Sequence, residues 1–162
     1  ATLLGYGAAA GALVATGATI DAESWAAFAA MIGSSILLGA VFIAVGYLVS
    51  ALVGSRGAAA GAAIGIWLLF VLIYDMALLG FLVVDQGRVL SGGLLNTLLL
   101  LNPADIYRLF NLTGFANVSA FSGMAGVAQS AQRGPSLLLA ALIAWALVPL
   151  GLAAVAFSRR EL

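Results

Sequence analysis

LLNTLLLLNPADIYRLFNLTG, residues Leu94–Gly114, is the stretch whose reading decides the fold of this chain. It lies between long apolar runs, yet its centre, Leu101–Leu112, gathers a proline, an acid, a base, a tyrosine and two asparagines. Leu94–Leu101 is apolar but far short of the roughly 20 residues a helix needs to cross a bilayer, so it reads as a re-entrant or interfacial segment. Asn102-Pro103-Ala104-Asp105 reads as a helix start: Asn102 can cap, Pro103 suits the first helical position, and Asp105 places negative charge in the first turn. Ile106, Leu109, Phe110 and Thr113 follow at helical spacing, with Tyr107, Arg108 and Asn111 turned elsewhere. Gly114 is a natural stop.

Composition sets the surroundings of this element. The 162 residues are 64% hydrophobic and only 7% charged, with a mean hydropathy of +1.19. Soluble domains carry about 25% charged residues, so the chain reads as an integral membrane protein. Net charge is zero, which removes the electrostatic case for nucleic acid. Absence of cysteine excludes thiolate nucleophiles and thiolate metal sites, and absence of histidine removes the commonest general base and metal ligand. There is no lysine either, so a Walker A loop cannot form. No basic region precedes the first apolar run, which therefore does not read as a signal peptide. The expectation is the C-terminal part of a longer protein.

Outward from the central stretch, the sequence predicts one all-α membrane domain over 1–162, with four spans at about 2–18, 27–53, 58–84 and 137–157. Residues 85–136 form an external helical interval between the last two spans. Gly7 with Gly11, and Gly57, Gly61 and Gly65, recur at four-residue spacing, a pattern that lets helix backbones approach closely. Asp21, Glu23 and Trp25 make a short acidic turn at an interface, and Gly54–Gly57 a tight connection carrying Arg56. Phe115–Gly134 reads as either a short helix or an ordered loop. Arg56 and the terminal Arg159-Arg160 place the Gly54–Gly57 loop and the C-terminus on the cytoplasmic side, with 85–136 outside. Arg88, Arg108 and Arg133 weaken that bias, but they sit in the longer interval, which counts less.

Few residues offer chemistry. Asp75 lies inside the third span, where a carboxylate costs about 2.5–3.5 kcal/mol at a helix centre and less near the interface. It is either part of a polar, proton-linked pathway or a buried charge partnered by a tyrosine or by an arginine of the external element; intramembrane charges usually find partners, which favours the second. Asp105 and Arg108, three apart, can pair across one helical turn. The same face, with Tyr107, is either a solvated helix surface or a docking surface for another protein. Met31, Met76 and Met124 are soft ligands suited to Cu(I), but they are scattered and unaccompanied, so they read as core filling. Asn111-Leu-Thr113 and Asn117-Val-Ser119 match the glycosylation sequon, a short pattern of little weight. An enzymatic reading has only Ser34, Ser35 and Asp75 to use, with no base beside the serines. A purely structural subunit that positions an external partner is the third alternative.

Trp67 with Tyr74-Asp75, the Leu98–Asn102 run into NPADIYRLFNLTG, and the closing AFSRREL together resemble the permease subunits of ABC-2 type transporters. The Leu101–Gly114 motif narrows the resemblance to permeases of nitrous oxide reductase maturation systems. The resemblance covers all 162 residues as the later four spans of a six-span permease. It implies no catalytic residue, cofactor or metal in this chain. The partners it implies are a cytoplasmic ATPase subunit, a second permease copy in a homodimer, a periplasmic maturation protein and membrane lipid, in the bacterial inner membrane, in the service of copper-site assembly. It also implies external re-entrant helices between the last two spans. Asn102, Pro103, Asp105, Tyr107, Arg108 and Asn111 are then the candidate docking residues. The family's first two spans and coupling helix have no counterpart here, so the main ATPase-docking element is expected elsewhere, with Gly54–Gly57 a minor contact.

Overall fold

In the computed structural model, residues 2–15, 22–85, 92–113 and 134–159 are described, and all regular structure among them is helical. The helices are α1 (Thr2–Ala15), α2 (Ala22–Leu52), α3 (Arg56–Leu68), α4 (Tyr74–Asp85), α5 (Gly92–Leu100), α6 (Pro103–Thr113) and α7 (Pro135–Ser158). A π-helical segment, Leu69–Ile73, joins α3 to α4 without interrupting the rod. Gly114, most of Phe115–Gly134 and Met124, the Asn117 sequon, Asp21, Arg88, Arg133 and Arg160 lie outside the described residues.

Three helices among the described residues are long and apolar enough to cross a membrane: Trp25–Leu52, Arg56–Val84 and Pro135–Ser158. The sequence led us to expect four. The difference falls on 2–18, where the described helix has 14 residues. At 1.5 Å per residue that is about 21 Å, against a hydrocarbon core of about 30 Å. The other boundaries shift modestly. The Glu23–Trp25 turn is absorbed into the start of α2. Ser55 caps α3, its Oγ accepting from the Ala58 backbone N–H at 3.3 Å, so Arg56 opens the helix rather than closing a loop. Pro135 takes the first turn of α7, where its missing N–H is harmless.

The long helices are apolar all round, whereas α6 is strongly amphipathic. That contrast sets the packing. α2 and α7 form the main pair: Val41 meets Leu138 and Leu142 in the core, and Ala44 and Ala51 of α2 and Ala153 of α7 are also buried. Small residues at such contacts let apolar helices approach without a hydrophobic driving force. α6 lies against both. Its Ile106 and Leu109 join Val41, Leu138 and Leu142 in the core, with Phe110 and Trp145 packed alongside. The Arg56–Val84 span, by contrast, buries none of its apolar window within this chain. Among the described residues of this single chain, the glycine stripes have no close neighbour. A Cβ built on Gly7, Gly11, Gly57, Gly61 or Gly65 would meet nothing within 4 Å. Their α1 and α3 faces are open because no other described helix of this chain runs along them.

Candidate functional site

α5, a single turn at Leu101, and α6 form a short helical hairpin set among the three spans. Its formation follows from Asn102. The Asn102 side chain is fully buried, and its Oδ1 accepts from the Ala104 N–H at 3.0 Å, capping α6 with Pro103 in first position. Its Nδ2 donates to the Phe70 carbonyl at 2.8 Å and to Asp105 Oδ2 at 3.0 Å. One amide thus starts the helix, fixes the orientation of Asp105 and ties both to the π segment of the Arg56–Val84 span, the second of the three described spans. π segments shift backbone hydrogen bonding locally and often mark functional positions.

The C-terminal carbonyls of α5 are satisfied by the spans on either side. Tyr74 donates its hydroxyl to the Leu98 carbonyl at 2.7 Å, and Trp145 of α7 donates its indole N–H to the Leu100 carbonyl at 3.1 Å. The Phe70 and Trp145 rings meet edge-on at 5.5 Å between the two spans. A helix end away from water needs such partners, since each orphaned carbonyl there costs several kcal/mol by the order of magnitude for hydrocarbon. Tyr74 and Trp145 therefore bridge the hairpin to the second and third spans.

The polar face of α6 is spent in the same way. Tyr107 and Ser35 share a hydroxyl–hydroxyl hydrogen bond of 2.9 Å. Asn111 donates Nδ2 to Ser34 Oγ at 3.1 Å and to the Tyr107 carbonyl at 2.9 Å. Arg108 pairs with Asp75 of α4 and reaches Asp105 Oδ1 at 3.4 Å. Side-chain exposure falls from 46% at Arg108 to 27% at Asp75 and 6% at Asp105. Burial, then the adjoining Asp75 carboxylate, pushes the Asp105 carboxyl up to about 7, against the opposite pull of Arg108 and Asn102. Burial also raises the Tyr107 hydroxyl above its ordinary value; Ser35 opposes that shift and Tyr6 of α1 adds to it.

The residues singled out from sequence thus come together, but not as one outward docking face. Asn102, Pro103, Asp105 and Asn111 are buried and their polar groups are occupied within the chain. Tyr107 is half-buried, and Arg108 alone of the set is exposed. The helical 100° step explains the correction: with Ile106 and Leu109 directed into the bundle, α6 is wedged deeply enough that its flanks also meet α2 and α4. Asp75 takes the arginine-partnered arrangement. Ser34 and Ser35, weighed above only as nucleophiles, serve α6 as hydrogen-bond partners, as do Tyr74 and Trp145 for α5. Their signal in the sequence is the placement of hydroxyls and an indole inside apolar spans, where a polar group needs an internal partner.

Beside α6 runs an open groove of about 410 Å³, with Ser35, Tyr107 and Arg108 among its polar lining and Phe42, Trp67 and Val71 among its apolar lining. Among the described residues no three Asp or Glu side chains gather as a metal site would require. The arrangement offers no nucleophile with a base. What it offers is mechanical: three spans linked through one amphipathic helix.

The sequence profile of the ABC-2 family transporter proteins matches residues 1–162. The chain is 45% identical over 163 aligned positions to the probable ABC transporter permease protein NosY of Pseudomonas aeruginosa, covering 100% of this chain and 58% of that protein. It is 42% identical over 162 positions to the probable ABC transporter permease protein NosY of Stutzerimonas stutzeri, covering 99% of this chain and 58% of the relative. The chain thus spans just under three-fifths of the length of these curated relatives. With a profile match along its whole length and membrane-spanning apolar helices, the chain belongs to the ABC-2 family of transporter permeases.

Proposed function

We propose that this chain is the membrane-embedded, non-catalytic portion of an ABC-2 permease that passes conformational change from a separate cytoplasmic ATPase to the far side of the membrane. One observation carries the reading. α6 with its cap Asn102 engages all three spans at once, bonded to Ser34 and Ser35 of α2 and to Phe70 and Asp75 of the second span, and packed on Leu138 and Leu142 of α7. Relative movement of any two spans must therefore displace the α5–α6 hairpin. Similarity to the NosY permeases supports a role in nitrous oxide reductase maturation and its copper-site assembly, with a second permease copy and a periplasmic maturation protein as partners. The exposed flank of α6 at Arg108, with half-buried Tyr107, is the docking point that reading offers an external protein.

The orientation belongs to the same proposal. Two candidate spans among the described residues separate the Ser55 connection from the end of α7, which supports placing both on one side whatever α1 does. The arginines at 56, 159 and 160 assign that side to the cytoplasm, in the bacterial inner membrane. α1, apolar and in contact with α2, is a candidate fourth crossing. The test is twofold. Co-purification of the permease with its ATPase should succeed, and ATP should change the accessibility of a cysteine placed on α6. Cysteines at Ser55 and Ser158 should resist an impermeant external thiol reagent, while one at Ser122 should label; no native cysteine interferes. Failure to capture an ATPase would refute the transporter role, and external labelling at Ser55 would refute the orientation.

A further inference from the structure

The Asp75–Arg108–Asp105 cluster places two carboxyl groups against one guanidinium. Asp105 stands at the start of α6 and Asp75 near the start of α4, and a single nitrogen, Arg108 Nη1, reaches a carboxylate oxygen of each. Arg108 pairs with both. Fully ionised, the cluster keeps one uncompensated negative charge beside a carboxyl whose side chain is 94% hidden from solvent. Two carboxylates in contact cannot both ionise at little expense, and burial removes the water that would screen them. Among the described residues no other charged side chain pairs with the cluster. α2 faces α6 with the neutral pair Ser34 and Ser35, and its Glu23 and Tyr47 lie about three turns to either side. The π segment, α5 and α7 contain no titratable side chain. From α1, Tyr6 approaches Tyr107 rather than the carboxyl pair.

We infer that Asp75, Asp105 and Arg108 form a binding site for a single proton, and that this proton latches α6 to the second span. The proton arrives from water along the exposed side of Arg108. It bonds to a carboxylate oxygen of Asp105, and the resulting carboxyl donates to the Asp75 carboxylate, which stays paired with Arg108. The charge of the cluster passes from minus one to zero. With the proton gone, two carboxylates repel across the α4–α6 junction and Arg108 alone holds them. Asp75 lies two residues past the π segment, so loss of the proton loosens the α4–α6 link there, while Asn102 keeps its bonds to the Phe70 carbonyl and to Asp105. The perturbed carboxyl of Asp105 agrees with this geometry. The latch stands independently of which ATPase or external partner the permease meets.

Infrared difference spectroscopy of the purified permease in lipid nanodiscs, titrated between pH 5 and pH 9, tests the site. Unmodified protein should show a protonated-carboxyl band that disappears as pH rises through neutrality. The band should be missing in Asp105→Asn. In Asp75→Asn its midpoint should fall by about one pH unit or more, since the neighbouring negative charge has gone. Hydrogen exchange of α6 amides should quicken above the midpoint in the unmodified protein and stay pH-insensitive in Asp105→Asn. A permease with no carboxyl band titrating near neutrality overturns the inference without recourse to any variant. So does the same band surviving in Asp105→Asn, or an unmoved midpoint in Asp75→Asn.

Discussion

Removing the Asn102 side chain dissects the junction on which the hairpin depends. Asn102→Ala deletes one acceptor and two donors at a fully buried position. Loss of a helix N-cap costs about 1 kcal/mol. The Phe70 carbonyl and Asp105 Oδ2 each lose a donor, at about 1–3 kcal/mol for each buried acceptor left unsatisfied. The expected destabilisation is therefore about 3–7 kcal/mol, enough to undo a typical margin of 5–15 kcal/mol in part or in full. Asn102→Thr separates the terms, because a threonine hydroxyl still caps while it cannot reach both remaining acceptors. It should recover about 1 kcal/mol of the loss and no more. Asn102→Asp keeps the cap but sets a second carboxylate against Asp105, so it should be the worst of the three at neutral pH and improve on acidification. Reversible unfolding in mixed micelles, followed by tryptophan fluorescence, provides the free energies; Trp145 of α7, bonded to the hairpin at the Leu100 carbonyl, is an internal reporter. If Asn102→Ala costs less than about 1 kcal/mol, or if threonine restores full stability, the bonds to Phe70 and Asp105 do not hold the hairpin and the reasoning fails.

Three further outcomes are expected. Ile106→Ala, at a position with no exposure, should destabilise by about 2–3 kcal/mol in the same unfolding assay, the lower part of the soluble-core range, because the unfolded chain in a membrane keeps this side chain in an apolar medium; a neutral result would mean α6 is not wedged between α2 and α7. Gly61→Leu should leave the stability of the isolated chain unchanged, since nothing lies within 4 Å of its Cβ position, and should lower the dimer fraction in crosslinking if the α3 face meets a second copy; lost monomer stability would refute the open face. Stability should fall as pH rises from about 4 towards 7 and then level off, because Asp105 binds its proton more tightly folded than unfolded, so the raised pKa stabilises the fold only while the group is protonated; the decline should vanish in Asp105→Asn, and a rise over that window would contradict the assignment.

Sequence by itself determined the membrane class, the helical content, the long apolar runs and the start of α6. These follow from local quantities: composition, run length against bilayer thickness, and the cap and proline at Asn102-Pro103. The apolar face of α6 was legible for the same reason, as Ile106 and Leu109 recur at helical period and do enter the core. Tertiary structure alone decided where the other faces point. Periodicity sorts residues by face but does not say how many neighbours surround a helix. It therefore could not show that Asn111 meets Ser34 across 77 positions of chain, or that Asn102 reaches a carbonyl in a π segment. The π segment itself has no composition signal, since Leu69–Ile73 is apolar like the residues around it. Glycine spacing marks a surface that a backbone can approach, but only the arrangement of the other helices shows whether one does; among the described residues nothing lies within 4 Å of a Cβ built at Gly57, Gly61 or Gly65.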